Sequence, residues 1–365
     1  MNNLLKRFRL SGNIRGIRVK IPQKHTLKNI SQQLHVSSAT VSNAFNKPAQ
    51  LSKSLRSKIL KYCEEVGYLG PSMAARSLRT GKTGVYGIVL SDDISESLMN
   101  PVANQFLSAV AEVFDKQHVN MLLLASDTKR YLVNQIDTLA DAFIVYGQPQ
   151  NSKILIRLEL QNKPIITVDF QYKNYPSINI NNHEAAYSIA KYAIDHTQAS
   201  TIHPVILGLH LTQNSDSQSI RDQALFSATE SISRCRLEGY KEALNDADIA
   251  IGNDAIWQIE PYDERMIKTI IRGILTSSEP INLLLCMSDK IAIAALDVAS
   301  ELNITVPGKL QIVGFDGITR ALEKGITTVG QPIKEKGNIA AEVCLGIRNS
   351  ESVTLLTDLI INQSA

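Results

Sequence analysis

Residues Thr26 to Asn46 read Thr-Leu-Lys-Asn-Ile-Ser-Gln-Gln-Leu-His-Val-Ser-Ser-Ala-Thr-Val-Ser-Asn-Ala-Phe-Asn, and this stretch constrains the chain more than any other. Leu27, Ile30 and Leu34 recur at helical spacing behind Thr26, a residue suited to an N-cap. Val36 falls at a corner. Ser37 is placed to cap a second helix with Val41, Ala44 and Phe45 facing inward and Ser38, Ala39, Ser42 and Asn43 facing outward. Two short helices joined at a sharp corner, the second presenting small polar residues, fit a helix-turn-helix. An ordinary αα-hairpin fits the same pattern.

Charge separates the two readings. Residues 1–82 hold 16 Lys/Arg and 2 Asp/Glu, a net +14, whereas the remainder is net −11, giving +3 over the 365 residues. A basic head on an acidic body points to a polyanionic partner bound by the head alone. A basic membrane-surface helix would need a sustained apolar face flanked by Lys and Arg, which the head lacks. Residues 1–24 carry seven basic residues, no acid and no apolar core of a secretory signal, so a disordered basic arm is expected there. Cys63, Cys235, Cys286 and Cys344 are scattered without a C-x-x-C and read as small hydrophobes in a reducing cytosol. No apolar run approaches the roughly 20 residues needed to span a bilayer.

Beyond Asn46, Ser52 is placed to cap a third helix over about 53–66 that buries Leu55, Ile59, Leu60 and Cys63 and stops at Gly67. Three such helices make a small core that needs help from a partner or from dimer contacts. Residues 70–83 follow as a linker. Pro71 favours a first helical turn, and Ala74, Ala75 and Leu78 form a thin apolar stripe among Arg76, Arg79 and Lys82. That segment is too short to be a stable helix in isolation.

From Gly84 the periodicity changes. Val85–Leu90, Met121–Leu124, Phe143–Val145, Ile165–Val168, Val205–Leu209, Leu283–Cys286 and Gln311–Val313 are short apolar runs suited to buried parallel strands. Amphipathic helical patterns lie between them, near 103–116, 184–195, 236–245, 256–275, 289–302 and 334–347. Such alternation specifies α/β units, and two Rossmann-like subdomains suit the length, with ligands expected at the strand ends in the cleft between them. No G-x-G-x-x-G, G-x-S-x-G or H-E-x-x-H occurs. His203 and His210 lie seven residues apart about a strand, on opposite faces, and the adjacent acid pairs read as solvated charge. No catalytic set, metal site or cofactor is expected.

Taken together, Thr26-Leu-Lys-Asn-Ile, Val36-Ser-Ser-Ala-Thr-Val-Ser-Asn, Val66-Gly-Tyr, Ala75-Arg-Ser-Leu-Arg-Thr-Gly, Arg236-Leu-Glu-Gly-Tyr, Ser288-Asp289, Ile312-Val-Gly-Phe-Asp and Thr327-Thr-Val-Gly-Gln-Pro make the chain resemble the lactose/galactose-repressor (LacI/GalR) family of bacterial transcription regulators from Thr26 onward. The resemblance implies an all-α helix-turn-helix DNA-binding head (25–69), a hinge helix (70–83), and a periplasmic-binding-protein-like α/β core (84–365). In that core, the N-subdomain covers about 84–200 and 331–350, and the C-subdomain about 201–330 and 351–365. It implies a cytoplasmic, nucleoid-associated homodimer on pseudo-palindromic double-stranded operator DNA, acting as a repressor whose affinity a small molecule controls, a sugar or related metabolite. Positions matching base readers are Ser38, Ala39 and Asn43. Ser37, Thr40, Ser42 and Asn46 match phosphate contacts. Ala75, Arg76 and Leu78 match the hinge, with Leu78 as a minor-groove wedge or a packing residue of the paired hinge helices. Arg236 and Asp316 match effector contacts, with Ser288 and His183 beside them.

Three departures from the family accompany these matches. His35 stands where a Gly is usual at the turn, Gly70 is an extra residue before Pro71, and residues 1–24 are an extension that is an arm, disorder or a misplaced start. With no leucine-heptad tail before Ala365, tetramers built that way are not expected. A solute-binding protein or an α/β enzyme with a helical appendage are the other classes such a core serves; the first needs a secretory signal and the second a catalytic set.

Overall fold

The computed structural model describes residues 25–70, 81–126, 136–149, 153–212, 218–220, 225, 231–259 and 263–365. The extension 1–24 and the hinge residues Ala75, Arg76 and Leu78 lie outside them. The chain divides into two compact units, Met1–Thr83 and Gly84–Ala365.

The first unit holds helices α1 (Leu27–Gln33), α2 (Ser38–Asn46) and α3 (Lys53–Glu65). Each begins as its sequence requires. The hydroxyls of Thr26, Ser37 and Ser52 accept from the amides of Asn29, Thr40 and Leu55, satisfying donors that a helix start leaves free. His35 takes the corner at φ 54°, a conformation His tolerates better than most residues. Ile30, Val41, Ala44, Ile59 and Cys63 form the buried core. Leu55 and Leu60, expected inside, are half-buried around it, because three short helices cannot enclose a full layer of side chains.

The second unit contains two sheets. In the first, all strands are parallel: β1 (Val85–Leu90), β2 (Asn120–Ala125), β3 (Phe143–Tyr146), β4 (Ile165–Val168), β5 (Ser177–Ile180) and β12 (Val353–Leu355) are ordered β12-β5-β4-β3-β1-β2. The second comprises β6 (Pro204–Gly208), β7 (Gln218–Ser219), β8 (Ile256–Gln258), β9 (Leu283–Cys286), β10 (Gln311–Asp316), β11 (Thr327–Gly330) and β13 (Asp358–Ile360), ordered β13-β11-β10-β9-β6-β8-β7 with antiparallel edges. Apolar clusters cover both faces of each sheet, which explains the unbroken apolar runs of the central strands.

The helices are α4 (Ile94–Met99), α5 (Pro101–Lys116), α6 (Lys153–Glu159), α7 (Asn182–Asp195), α8 (Ile232–Asp246), α9 (Glu264–Leu275), α10 (Asp289–Glu301), α11 (Thr319–Glu323) and α12 (Ile333–Cys344). The helical pattern read over 256–275 is corrected: Ile256–Gln258 is a strand beside β6, and the helix starts only at Glu264, capped by Asp263. Its β-branched and aromatic Ile256-Trp257 suit a ladder better than a helix start.

The lobe boundaries also differ from expectation. Helix α7 follows β5 of the first sheet, yet Ala185, Ala186, Ile189, Ala190 and Ala193 pack into the core of the second lobe. The first crossing therefore falls at about Asn181, not near 200. The second falls between β11 and α12, near 331, since Ile339, Ala340 and Ala341 of α12 pack in the first lobe. The third falls at 356–357, because Val353–Leu355 still pairs with β5 of the first sheet, whereas the expected boundary was 350.

A glycine allows a close helix contact in each lobe. A Cβ on Gly239 of α8 would stand 2.2 Å from the carbonyl oxygen of His183 and 2.9 Å from the amide of Tyr187 on α7. One on Gly337 of α12 would meet Ala109 Cβ at 2.7 Å and the Phe106 carbonyl at 2.8 Å on α5. Backbone cannot yield as a flexible side chain does, so Gly239→Ala should destabilise the core by about 1–3 kcal/mol. Urea denaturation checks this, and an unchanged midpoint would show that the α7–α8 contact is slack.

Candidate functional site: a helix surface and an interlobe cleft

On the head, Arg56 Nε donates to the Ala44 carbonyl at 3.1 Å, tying α3 to α2. Ser37 Oγ lies 2.8 Å from Thr40 Oγ1 at the start of α2, where first-turn amides favour an anion. Ser38 and Ala39 are exposed on that turn, with Ser38 Oγ 3.1 Å from Ser31 Oγ. Asn43 is half-buried and its Nδ2 donates to Gln50 Oε1 at 3.1 Å. Asn46 Nδ2 donates to the Ser42 carbonyl at 3.0 Å. Ser37, Ser38, Ala39, Thr40, Ser42, Asn43 and Asn46 thus all lie on α2 or its cap. Gln50, beside Asn43, was not singled out from the sequence.

In the core, polar groups gather at the carboxyl ends of the strands. Arg236 on α8 is only 5% exposed, and its guanidinium lies 3.6 Å from the Phe315 ring centroid. Nε donates to Asn182 Oδ1 at 2.9 Å, and Nη1 donates to the Met287 carbonyl at 2.6 Å. Nη1 also stands 3.6 Å from Asp316 Oδ1, leaving Nη2 with no partner among the described residues. Stacking on an aromatic ring while donating edge-on is a use of the planar fork that Lys cannot reproduce. Asp316 ends β10 at φ 123° and accepts from Gln331 Nε2 at 2.7 Å.

Asp289, wholly buried, begins α10. It accepts from Thr328 Oγ1 at 2.5 Å and from the Ile318 amide at 2.8 Å. Burial raises both carboxyls. Asp289 is pushed up to about 7, with the charge of Asp316 adding to the rise. Asp316 is pushed up to about 6 against the pull of Arg236, Gln331 and Lys336. On the first lobe, Tyr146 stacks on Phe106 with centroids 4.3 Å apart. Burial and the charges of Asp169 and Asp316 hold its hydroxyl well above the ordinary range.

Arg236 and Asp316 are thus brought together. Ser288 caps α10 by accepting from the Ile291 amide at 3.4 Å, next to the Met287 carbonyl that Arg236 uses. His183 is placed elsewhere: its Nε2 lies 2.9 Å from Glu242 Oε2, with both side chains substantially exposed. The neighbouring Asn182 meets Arg236 instead. A single helical residue turns a side chain by about 100°, which is enough to swap their roles. Asn182, Asp169, Gln331, Lys336 and Tyr146 were missed. One signal was present: Lys336 interrupts the apolar i, i+3, i+4, i+7 stripe of Ile333, Gly337 and Ala340. Among the described residues no group of His, Cys, Asp and Glu could hold a metal ion, and no helix is long and apolar enough to cross a membrane.

Residues 213–364 match the periplasmic binding protein-like domain. Over 334 residues the chain is 30% identical to the HTH-type transcriptional regulator Rv3575c of Mycobacterium tuberculosis, covering 88% of this chain and 91% of that one. The chain belongs to the LacI/GalR family of transcriptional regulators. It is 26% identical to the ribose operon repressor of Haemophilus influenzae over 331 residues, 88% of this chain and 91% of the relative. The lac repressor dimer bound to operator and the anti-inducer ONPF shares the fold at a TM-score of 0.72, covering 94% of this chain and 99% of that one at 16% identity. The protein is therefore an HTH-type DNA-binding regulator with a periplasmic-binding-protein-like core, and not an enzyme.

A testable consequence concerns the buried carboxyls. Asp289 binds its proton more tightly folded than unfolded, from 3.8 up to about 7, so its contribution is full at low pH and is lost as pH rises through that window. Since Asp316 titrates with it, the protons leave in shared steps. Asp289→Asn should flatten the fall in melting temperature between about pH 4 and 7. Parallel pH profiles for variant and wild type would reject this assignment.

Proposed function

We propose that the protein is a homodimeric repressor that acts in the cytoplasm at the nucleoid, holding a pseudo-palindromic operator through two heads about one helical turn apart. Ser38, Ala39 and Asn43 meet base edges, and Ser37, Thr40, Ser42 and Asn46 meet phosphates. Ala75, Arg76 and Leu78 form the hinge, with Leu78 entering the minor groove. The effector is a hydroxyl-rich small molecule of the sugar class, taken between the lobes by Arg236 and Asp316, with Ser288 shaping the wall and His183 at its margin.

One observation carries this reading: Arg236 is stacked on Phe315 and pinned by Asn182 and the Met287 carbonyl, beside the buried Asp316 carboxyl at the strand ends. A fork and a carboxylate so placed match vicinal hydroxyls, which both donate and accept. The operator of the lac repressor and the ribose in the name of the Haemophilus relative support the partner classes. Effector binding that favours one lobe orientation by about 1–3 kcal/mol would change operator affinity by about 5- to 150-fold.

Calorimetric melting of the full-length protein with pentoses, hexoses and polyols tests the cleft. A ligand at 100 times its Kd adds about 2.7 kcal/mol, and Arg236→Lys should abolish that gain. An equal gain in the variant would remove Arg236 from the site. For the head, Asn43→Ala should relax selection at one base pair per half-site, a discrimination of about 1–3 kcal/mol. Recovery of an unchanged motif by in vitro selection would dismiss that role.

A further inference from the structure

Lys336 sits on α12 of the first lobe with 1% of its surface exposed. Its ammonium donates to Asp169 Oδ1, at the end of β4, and to Gln331 Oε1 at 2.8 Å. The other end of the same carboxamide, Gln331 Nε2, donates to Asp316 Oδ1 at 2.7 Å, and Asp316 faces Arg236. Gln331 lies in the crossing between β11 of the second lobe and α12 of the first. One amide therefore joins a buried cation of one lobe to a buried carboxylate of the other, with acceptor and donor ends both used.

A buried ammonium is costly to desolvate, and an apolar side chain of similar length would fill the same stripe of α12 without that cost. Lys336 thus has one of two roles. It neutralises Asp169 locally, or it also fixes the carboxamide whose far end orients Asp316. Neutralising Asp169 needs only one donor. The second donor, on Gln331 Oε1, leaves the amide a single orientation, because the flipped carboxamide would set NH2 against an ammonium and oxygen against a carboxylate.

We propose that Lys336 is a positioning residue: through Gln331 it holds the Asp316 carboxylate across the crossing and ties the two lobes at the base of the cleft. The proposal rests on the reading of Asp316 as an effector contact, but its test uses neither effector nor DNA, so the two can fail separately.

The experiment is hydrogen–deuterium exchange on the full-length protein. Lys336→Met alone would leave the Asp169 carboxylate without its cation, a costly state, so Lys336→Met is combined with Asp169→Asn, removing both charges together. A second variant is Gln331→Leu. Both should speed exchange in the second lobe, in peptides spanning 287–291 and 312–317, and the three substitutions combined should speed it no further than Gln331→Leu alone. A change confined to the first lobe, around 165–180 and 333–344, would reduce Lys336 to a local counter-charge and overturn the proposal. So would effects of the two variants that add, or no change in either.

Discussion

Strands covered by apolar helices on both faces can carry polar chemistry only at their ends. That constraint places the site of this core. The side chains of β1, β4, β9 and β10 are buried on either face, and the first residues free to differ are those at or beyond the carboxyl ends: Asp169, Asp289 and Asp316. None of these is solvated as an exposed carboxylate or hydroxyl would be, and each persists by being satisfied. Asp289 has a hydroxyl and an amide, Asp316 an amide side chain and a guanidinium, and Asp169 an ammonium. Buried charges on these terms add little net stability but are costly to leave half-paired. They therefore specify one arrangement of the strand ends.

How much of this was legible follows from the same constraint. Central strands such as Ile165–Val168 and Leu283–Cys286 announce themselves because both faces are apolar. Ser177-Ile-Asn-Ile, Val353-Thr-Leu and Asp358-Leu-Ile do not, since three or four residues at or near a sheet edge alternate with polar ones and look like loop. Helix α7 was legible as an amphipathic helix, but its alanine face does not say which sheet it covers. Its place in the second lobe follows from packing against Leu237, Tyr240 and Leu244 of α8, with Gly239 allowing the backbones to approach. Arg236 and Asp316 were found through family resemblance, not through spacing. Asn182, Gln331 and Lys336 act by meeting residues 15 to 167 positions away, and no local pattern encodes such pairings.

The head obeys a different economy of groups. Five wholly buried side chains cannot hold three helices by apolar contact alone, and the caps contribute about 1 kcal/mol each. The Ser37 hydroxyl accepts from the Thr40 amide and so caps the start of α2, where the remaining first-turn amides favour an anion. The Asn43 amide is held by Gln50. An amide so oriented has lost part of its side-chain entropy in advance, which favours binding with a defined donor and acceptor direction.

Arg236 and Asp316 both belong to the second lobe, and this limits what they can do alone. A ligand held only by these two would bind equally well whatever the angle between the lobes, and a ligand without differential affinity shifts no equilibrium. Control of DNA binding therefore demands a contact that changes when the lobes move. The residues placed to supply it are those of the first lobe that approach the same carboxylate: Tyr146, whose hydroxyl feels the charge of Asp316, and Lys336 acting through Gln331. The three crossings near Asn181, Gln331 and Leu356 are short, and within each lobe a pair of helices meets closely at Gly239 or Gly337. One of the crossings is occupied by the amide that joins Lys336 to Asp316.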